Sequence, residues 1–141
     1  MNRFILIIIL FGLFESINAQ EKNKQNDESP SHQIIELGGE KYLLHPDNPK
    51  GEFKYDKVIE ICNQTSTFGY YDWIIPTIDQ FIEMRLKKVI PNNCKDIWYW
   101  SKDVVSDNTD AYNWLFNFKN GKQGFSHKAF KYHVFLIRKF N

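Results

Sequence analysis

The chain has 141 residues, a formal net charge of +1, 43 % hydrophobic residues and 16 % aromatic ones. That length holds one hydrophobic core and excludes two, and the aromatic share of 12 Phe, 7 Tyr and 4 Trp indicates a well-packed single domain. Two cysteines, with no Cys-x-x-Cys pair, cannot make a closed structural zinc site without histidines in register.

Met1 to Ala19, MNRFILIIILFGLFESINA, carries one early Arg, an apolar block from Phe4 to Phe14 and a small residue before Gln20. This is the pattern of a secretory signal peptide, too short between its polar flanks for a comfortable membrane span. It predicts export to a periplasmic or extracellular location, with a membrane reached only through an uncleaved leader. Gln20 to Gln33, QEKNKQNDESPSHQ, has no apolar residue apart from Pro30 and cannot offset the entropy of ordering, which predicts a flexible linker. The folded domain is expected over 34–141.

Ile34-Ile35-Glu36-Leu37 and Lys41-Tyr42-Leu43-Leu44 read as a hairpin joined at Gly38-Gly39. His45 to Gly51, with two prolines, is a loop. Tyr55 to Thr65 carries Tyr55, Val58, Ile59, Ile61 and Cys62 at helical spacing, so a helix with one apolar stripe is predicted. The run Gly69 to Pro76, GYYDWIIP, reads as a strand end, because the residue before Pro is driven to extended geometry. Thr77-Ile78-Asp79-Gln80 then has the form of a capping box, and the helix it opens is expected from about Ile78 to Val89, stopped by Pro91-Asn92-Asn93.

From Ile97 onward the pattern has period two. Trp98 and Trp100 alternate with Tyr99 and Ser101, and Tyr112, Trp114, Phe116 and Phe118 alternate with Asn113, Leu115 and Asn117. An aromatic stripe of this kind is more often core than sugar-stacking platform, so Trp114 is expected to be structural. Asn120-Gly121 is the strongest hairpin signal in the chain. Lys131 to Lys139 reads as a last strand, central because Val134-Phe135-Leu136-Ile137 is apolar on both faces. Two helices packed on a mostly antiparallel sheet make an α+β protein.

Charge is unevenly placed. Gln20 to Asp110 holds 11 Lys or Arg against 16 Asp or Glu, whereas Ala111 to Asn141 holds 6 Lys or Arg and no acidic residue. Lys119, Lys122, Lys128 and Lys131 flank the Asn120-Gly121 hairpin and the loop after it, with His127 among them. If they converge, they form a site for an anionic partner, an acidic polysaccharide above all, with salt-sensitive binding. Edge protection of a sheet is the competing account of the same lysines. Cys62 and Cys94 form one disulfide or stay as thiols. The bridge is the expectation in an exported chain, closing a loop of about 30 residues.

The joint Tyr70-Tyr71-Asp72-Trp73-Ile74-Ile75-Pro76-Thr77 resembles the glycine-tyrosine, aspartate-tryptophan-arginine-leucine-proline-threonine signature of the Lcl C-terminal domain family. Further pieces fall in the same order: the helix with Cys62, Tyr99-Trp100-Ser101, Ala111 to Phe118, Asn120-Gly121 and Tyr132 to Arg138. That group, of unknown function, is found in exported bacterial proteins and has a C-type-lectin-like fold related to the sulfatase-modifying-factor fold. The resemblance implies a binding fold in which Asp72, Trp73, Pro76, Thr77, Trp100 and Trp114 are structural. Ile74 departs from it where an Arg is usual, and the last strand lacks the family's usual Cys, so Cys94 stands as the partner left for Cys62.

Chemistry finds little support in the residues. The family fold's calcium-dependent sugar motifs are missing. The loop from Lys102 to Asp110 gathers Asp103, Asp107 and Asp110 at a spacing unlike an EF-hand, which favours a solvated loop over a calcium site. His32, His45, His127 and His133 sit in no nucleophile elbow or metalloprotease motif. No catalytic residue, metal or cofactor is therefore expected, and nucleic acid is a poor partner for an exported chain. The expected function is a secreted, non-catalytic binding or adhesion module for an anionic glycan or a surface protein. The alternative is a structural or assembly component of the cell envelope with a protein partner and no glycan affinity.

Overall fold

The computed structural model describes residues 33–90, 95–106 and 110–141. The segments expected to be a signal peptide and, apart from Gln33, a linker, together with the expected Pro91-Asn92-Asn93 stop, Cys94 and Asp107, lie outside the described residues. Gln33, placed by sequence in the linker, accepts the Leu44 N–H on its carbonyl at 2.9 Å and so already belongs to the first sheet.

The elements run β1 (Ile34–Leu37), β2 (Glu40–Leu44), α1 (Tyr55–Gln64), α2 (Ile78–Leu86), β3 (Trp98–Val104), β4 (Tyr112–Asn117), β5 (Gln123–His127) and β6 (Ile137–Lys139). The strands form two antiparallel three-stranded sheets, ordered β1-β2-β6 and β3-β4-β5, and with two helices the class is α+β. Among the described residues no helix is long and apolar enough to cross a membrane.

Local chemistry accounts for most of the boundaries. Gly38 and Gly39 stand at φ +59° and +78°, the paired left-handed geometry that a two-residue hairpin turn needs. At α2 the Thr77 Oγ1 accepts the Gln80 N–H at 3.2 Å, and the Gln80 Oε1 accepts the Thr77 N–H at 2.9 Å. Asp103 Oδ2 accepts the Ile78 N–H at 2.6 Å and satisfies a further donor of that first turn.

Two packed clusters lie on opposite sides of the sheets. In the first, Val58 and Cys62 of α1 meet Leu43, Trp73, Trp100, Leu115, Val134 and Leu136. In the second, Phe81 and Met84 of α2 meet Leu37, Leu44, Phe116, Phe118, Phe135 and Ile137. Adjacent residues alternate between the clusters, Leu43 with Leu44, Leu115 with Phe116, and Leu136 with Ile137, because consecutive strand side chains point to opposite faces. Phe81 is the hub of the second cluster, stacked on Phe116 at 5.4 Å and edge-on to Phe118 at 5.2 Å.

Three expectations need correction. The joint from Tyr70 to Pro76 makes no strand, with single bridges at Thr67–Tyr70 and Ile74–Ile137. The last strand shrinks to Ile137–Lys139, since Tyr132 and His133 bond to Phe53 and to β3, and Leu136 N–H goes to Asn48. Cys62 is a free buried thiol, so the expected bridge is not made at its Cys62 end. Its neighbours in the first cluster are apolar, and burial pushes the thiol up to about 11.

Candidate functional site

Trp73 and Trp100, expected to be structural, lie buried in the first cluster. Trp73 is 2 % exposed, lies edge-on to His45 at 4.6 Å and donates its indole N–H to the Tyr70 carbonyl at 3.1 Å. Trp100 is fully buried and donates to the Phe53 carbonyl at 2.7 Å. Asp72 pairs with Arg138, and Pro76 is buried beside the Thr77 cap, its carbonyl accepting the Lys102 N–H.

Trp114 does not. It is half-buried and belongs to neither cluster. On β4, Tyr112, Trp114 and Phe116 share one face by the period of two, but α2 covers that face only at Phe116. Across the ladder Trp114 faces Phe125 and Tyr112 faces His127, which puts four rings side by side on β4 and β5. Ring centroids lie 5.9 Å apart for Trp114–Phe125, 6.3 Å for Tyr112–Phe125 and 5.2 Å for Tyr112–His127, each pair near perpendicular. Phe125 is 60 % exposed.

This face also carries polar groups without a partner among the described residues. The Trp114 indole N–H and the Tyr112 hydroxyl make no hydrogen bond to another described residue, unlike the indoles of Trp73 and Trp100. His127 Nδ1 accepts the Ala129 N–H at 3.1 Å, so the neutral ring carries its proton on Nε2. None of the four face positions is Lys, Arg, Asp or Glu.

The lysine cluster expected from sequence is not assembled. Lys119 and Lys122 sit at the β4–β5 turn, which Asn117 organises by accepting the Lys119 and Asn120 amides on its side-chain oxygen. Arg85 joins that end through Nε to the Phe118 carbonyl at 3.0 Å. Lys128 and Lys131 lie beyond the other end of β5, about 20 Å from Lys122 at the rise of an extended strand. Lys128 turns toward α1, with its ammonium 3.1 Å from Asp110 and 5.3 Å over the Tyr55 ring. His127 faces the aromatic side rather than the lysines.

Lys128 also lines an open groove of about 520 Å³ with Lys54, Tyr55, Asp56, Ile59 and Ala129. Burial raises the pKa of the Tyr55 hydroxyl there, so it stays protonated at neutral pH. Asn113, fully buried on this side of β4, donates to the Ser101 carbonyl, while its oxygen has no partner among the described residues. Among the described residues no group of His, Cys, Asp and Glu is placed to hold a metal ion.

Among the described residues the closest approach to a nucleophile–base pair is Thr67 Oγ1, 2.7 Å from His45 Nε2. His45 Nδ1 accepts the Asp47 N–H at 3.2 Å, so Nε2 bears the proton and donates to Thr67 instead of receiving from it. The pair is a structural tie between the loop after β2 and the Thr67–Tyr70 turn.

Period two placed Tyr112 and Trp114 on one face, yet only the reach of α2 decides which part of that face stays open. No protein-family model matches the chain. No curated protein matches it either.

Proposed function

We propose that this protein is an exported, non-catalytic binding or adhesion module whose working surface is the open aromatic face of β4 and β5. One observation carries the reading: Tyr112, Trp114, Phe125 and His127 form a contiguous ring cluster outside both packed clusters, with Phe125 60 % exposed. Contiguous apolar surface left outside the core is a feature of binding sites. The resemblance to the Lcl C-terminal domain family, with its C-type-lectin-like fold, agrees with a binding role and rests on the motifs quoted above. For an acidic glycan, the separated lysine pairs supply charge at the two ends of β5 rather than one pocket.

The second reading, an envelope component with a protein partner and no glycan affinity, draws on the same exposed Phe125 together with Phe130, 63 % exposed. A glycan array on the purified protein at low and moderate salt, run beside cross-linking from Phe125 in the native envelope, tests both. Retention on a glycan that Phe125→Ser abolishes supports the first reading. Cross-linking to one envelope protein with silence on every glycan supports the second.

A further inference from the structure

Resting on the binding-module reading, we infer that the β4–β5 face takes uncharged pyranose rings of a carbohydrate chain. Three observations point there. None of the face's four positions is Lys, Arg, Asp or Glu, so it offers an acidic group no lysine or arginine to pair with. The cations are displaced from it: Lys122 lies at one end of the strand, and Lys128 is turned to the α1 side and already paired with Asp110. Around the rings stand polar groups that make no hydrogen bond to another described residue, the Trp114 indole N–H, the Tyr112 hydroxyl and His127 Nε2.

That last feature separates a sugar from an apolar peptide. A purely apolar partner would desolvate those three groups and leave them unpaired, an unfavourable outcome for each. A pyranose presents both what the rings want and what the polar groups want, with C–H bonds on its faces and hydroxyls around its rim. Tyr112 and Trp114, two residues apart on one strand, are about 7 Å apart along β4, room for one or two sugar rings. Phe125 stands perpendicular to both and gives the platform a raised edge.

The test is a nitrogen-15 NMR titration of the purified protein with cellohexaose, laminarihexaose, mannohexaose and chitohexaose, and with a heparin hexasaccharide, at low and high salt. The expected result is movement of the Trp114 indole signal with a neutral hexasaccharide, unchanged by salt. Phe125→Ser should then weaken binding roughly tenfold, the factor that about 1.4 kcal/mol represents, at unaltered melting temperature. Tyr112→Phe, which removes only the hydroxyl, should weaken it by a smaller factor. Salt-sensitive binding of the heparin hexasaccharide alone, with shifts at Lys122 or Lys128, overturns the inference and leaves a binding module standing. Silence on every sugar overturns it as well. A protein cross-linked from position 125 would then preserve the broader reading, and no cross-link would remove both.

Discussion

Arg138 Nε lies 2.5 Å from Asp72 Oδ1, and the same guanidinium sits 3.7 Å over the Tyr70 ring, so the last strand is tied to the Tyr70–Thr77 joint by one side chain. Ile74, where the resemblance would have an Arg, instead exchanges two backbone hydrogen bonds with Ile137, the neighbour of Arg138. The positive charge on this joint therefore comes from β6.

Asp72 is the more exposed partner, at 59 % against 13 % for Arg138. A double-mutant cycle of Asp72→Ala and Arg138→Ala, followed by urea unfolding, should give a coupling of about 0.5–1 kcal/mol. Arg138→Ala alone should cost more than Asp72→Ala, because it also removes the stack on Tyr70. Equal single costs would contradict this.

Trp73 and Trp114 should behave oppositely. Trp73→Ala empties a buried site in the first cluster and should lower stability by about 3–5 kcal/mol, seen as a large fall in the urea midpoint. Trp114→Ala, on the half-open face, should cost about 1 kcal/mol or less.

Much of this was readable in the chain. Thr77 and Gln80 announced the α2 start because both capping bonds lie within four residues. Gly38-Gly39 did the same for the first hairpin. The errors are long-range ones. Tyr132 to Leu136 looks like a strand, but its backbone groups are taken by Phe53, Trp98, His45 and Asn48, far away in sequence. Lys122 and Lys128 looked adjacent because a list of residues does not show that β5 holds them at opposite ends. Trp114 looked like core because alternation identifies a face and says nothing of what covers it.

Stability should fall on mild acidification through His45. Burial of the ring holds its pKa below the ordinary 6.5, with the Asp47 charge opposing. The unfolded chain thus binds this proton first. The contribution is complete above pH 6.5 and is lost as the pH falls through the lower folded value. Glu60 and Glu83, held low by Lys57 and Lys87, act only below the ordinary carboxylate value of 4.5. Between pH 8 and 5, about the range where histidine titrates, His45→Gln should flatten the fall in the urea midpoint. An identical slope in parent and variant would refute the assignment.

Cys62 should be chemically silent in the folded protein. With its thiol pushed up to about 11, little thiolate exists near pH 8. In a Cys94→Ser background, a chromogenic disulfide reagent should label Cys62 only after denaturant is added. Rapid native labelling would show that the first cluster opens readily around α1.

The most direct test of the central claim pairs two readings on one variant, the melting temperature of Phe125→Ser and its affinity for the neutral hexasaccharides. An unchanged melting temperature with binding weakened roughly tenfold is the expected result for a ring that serves a ligand and not the core. A melting temperature lowered as far as that of Trp73→Ala, or affinity equal to the parent's, would contradict it.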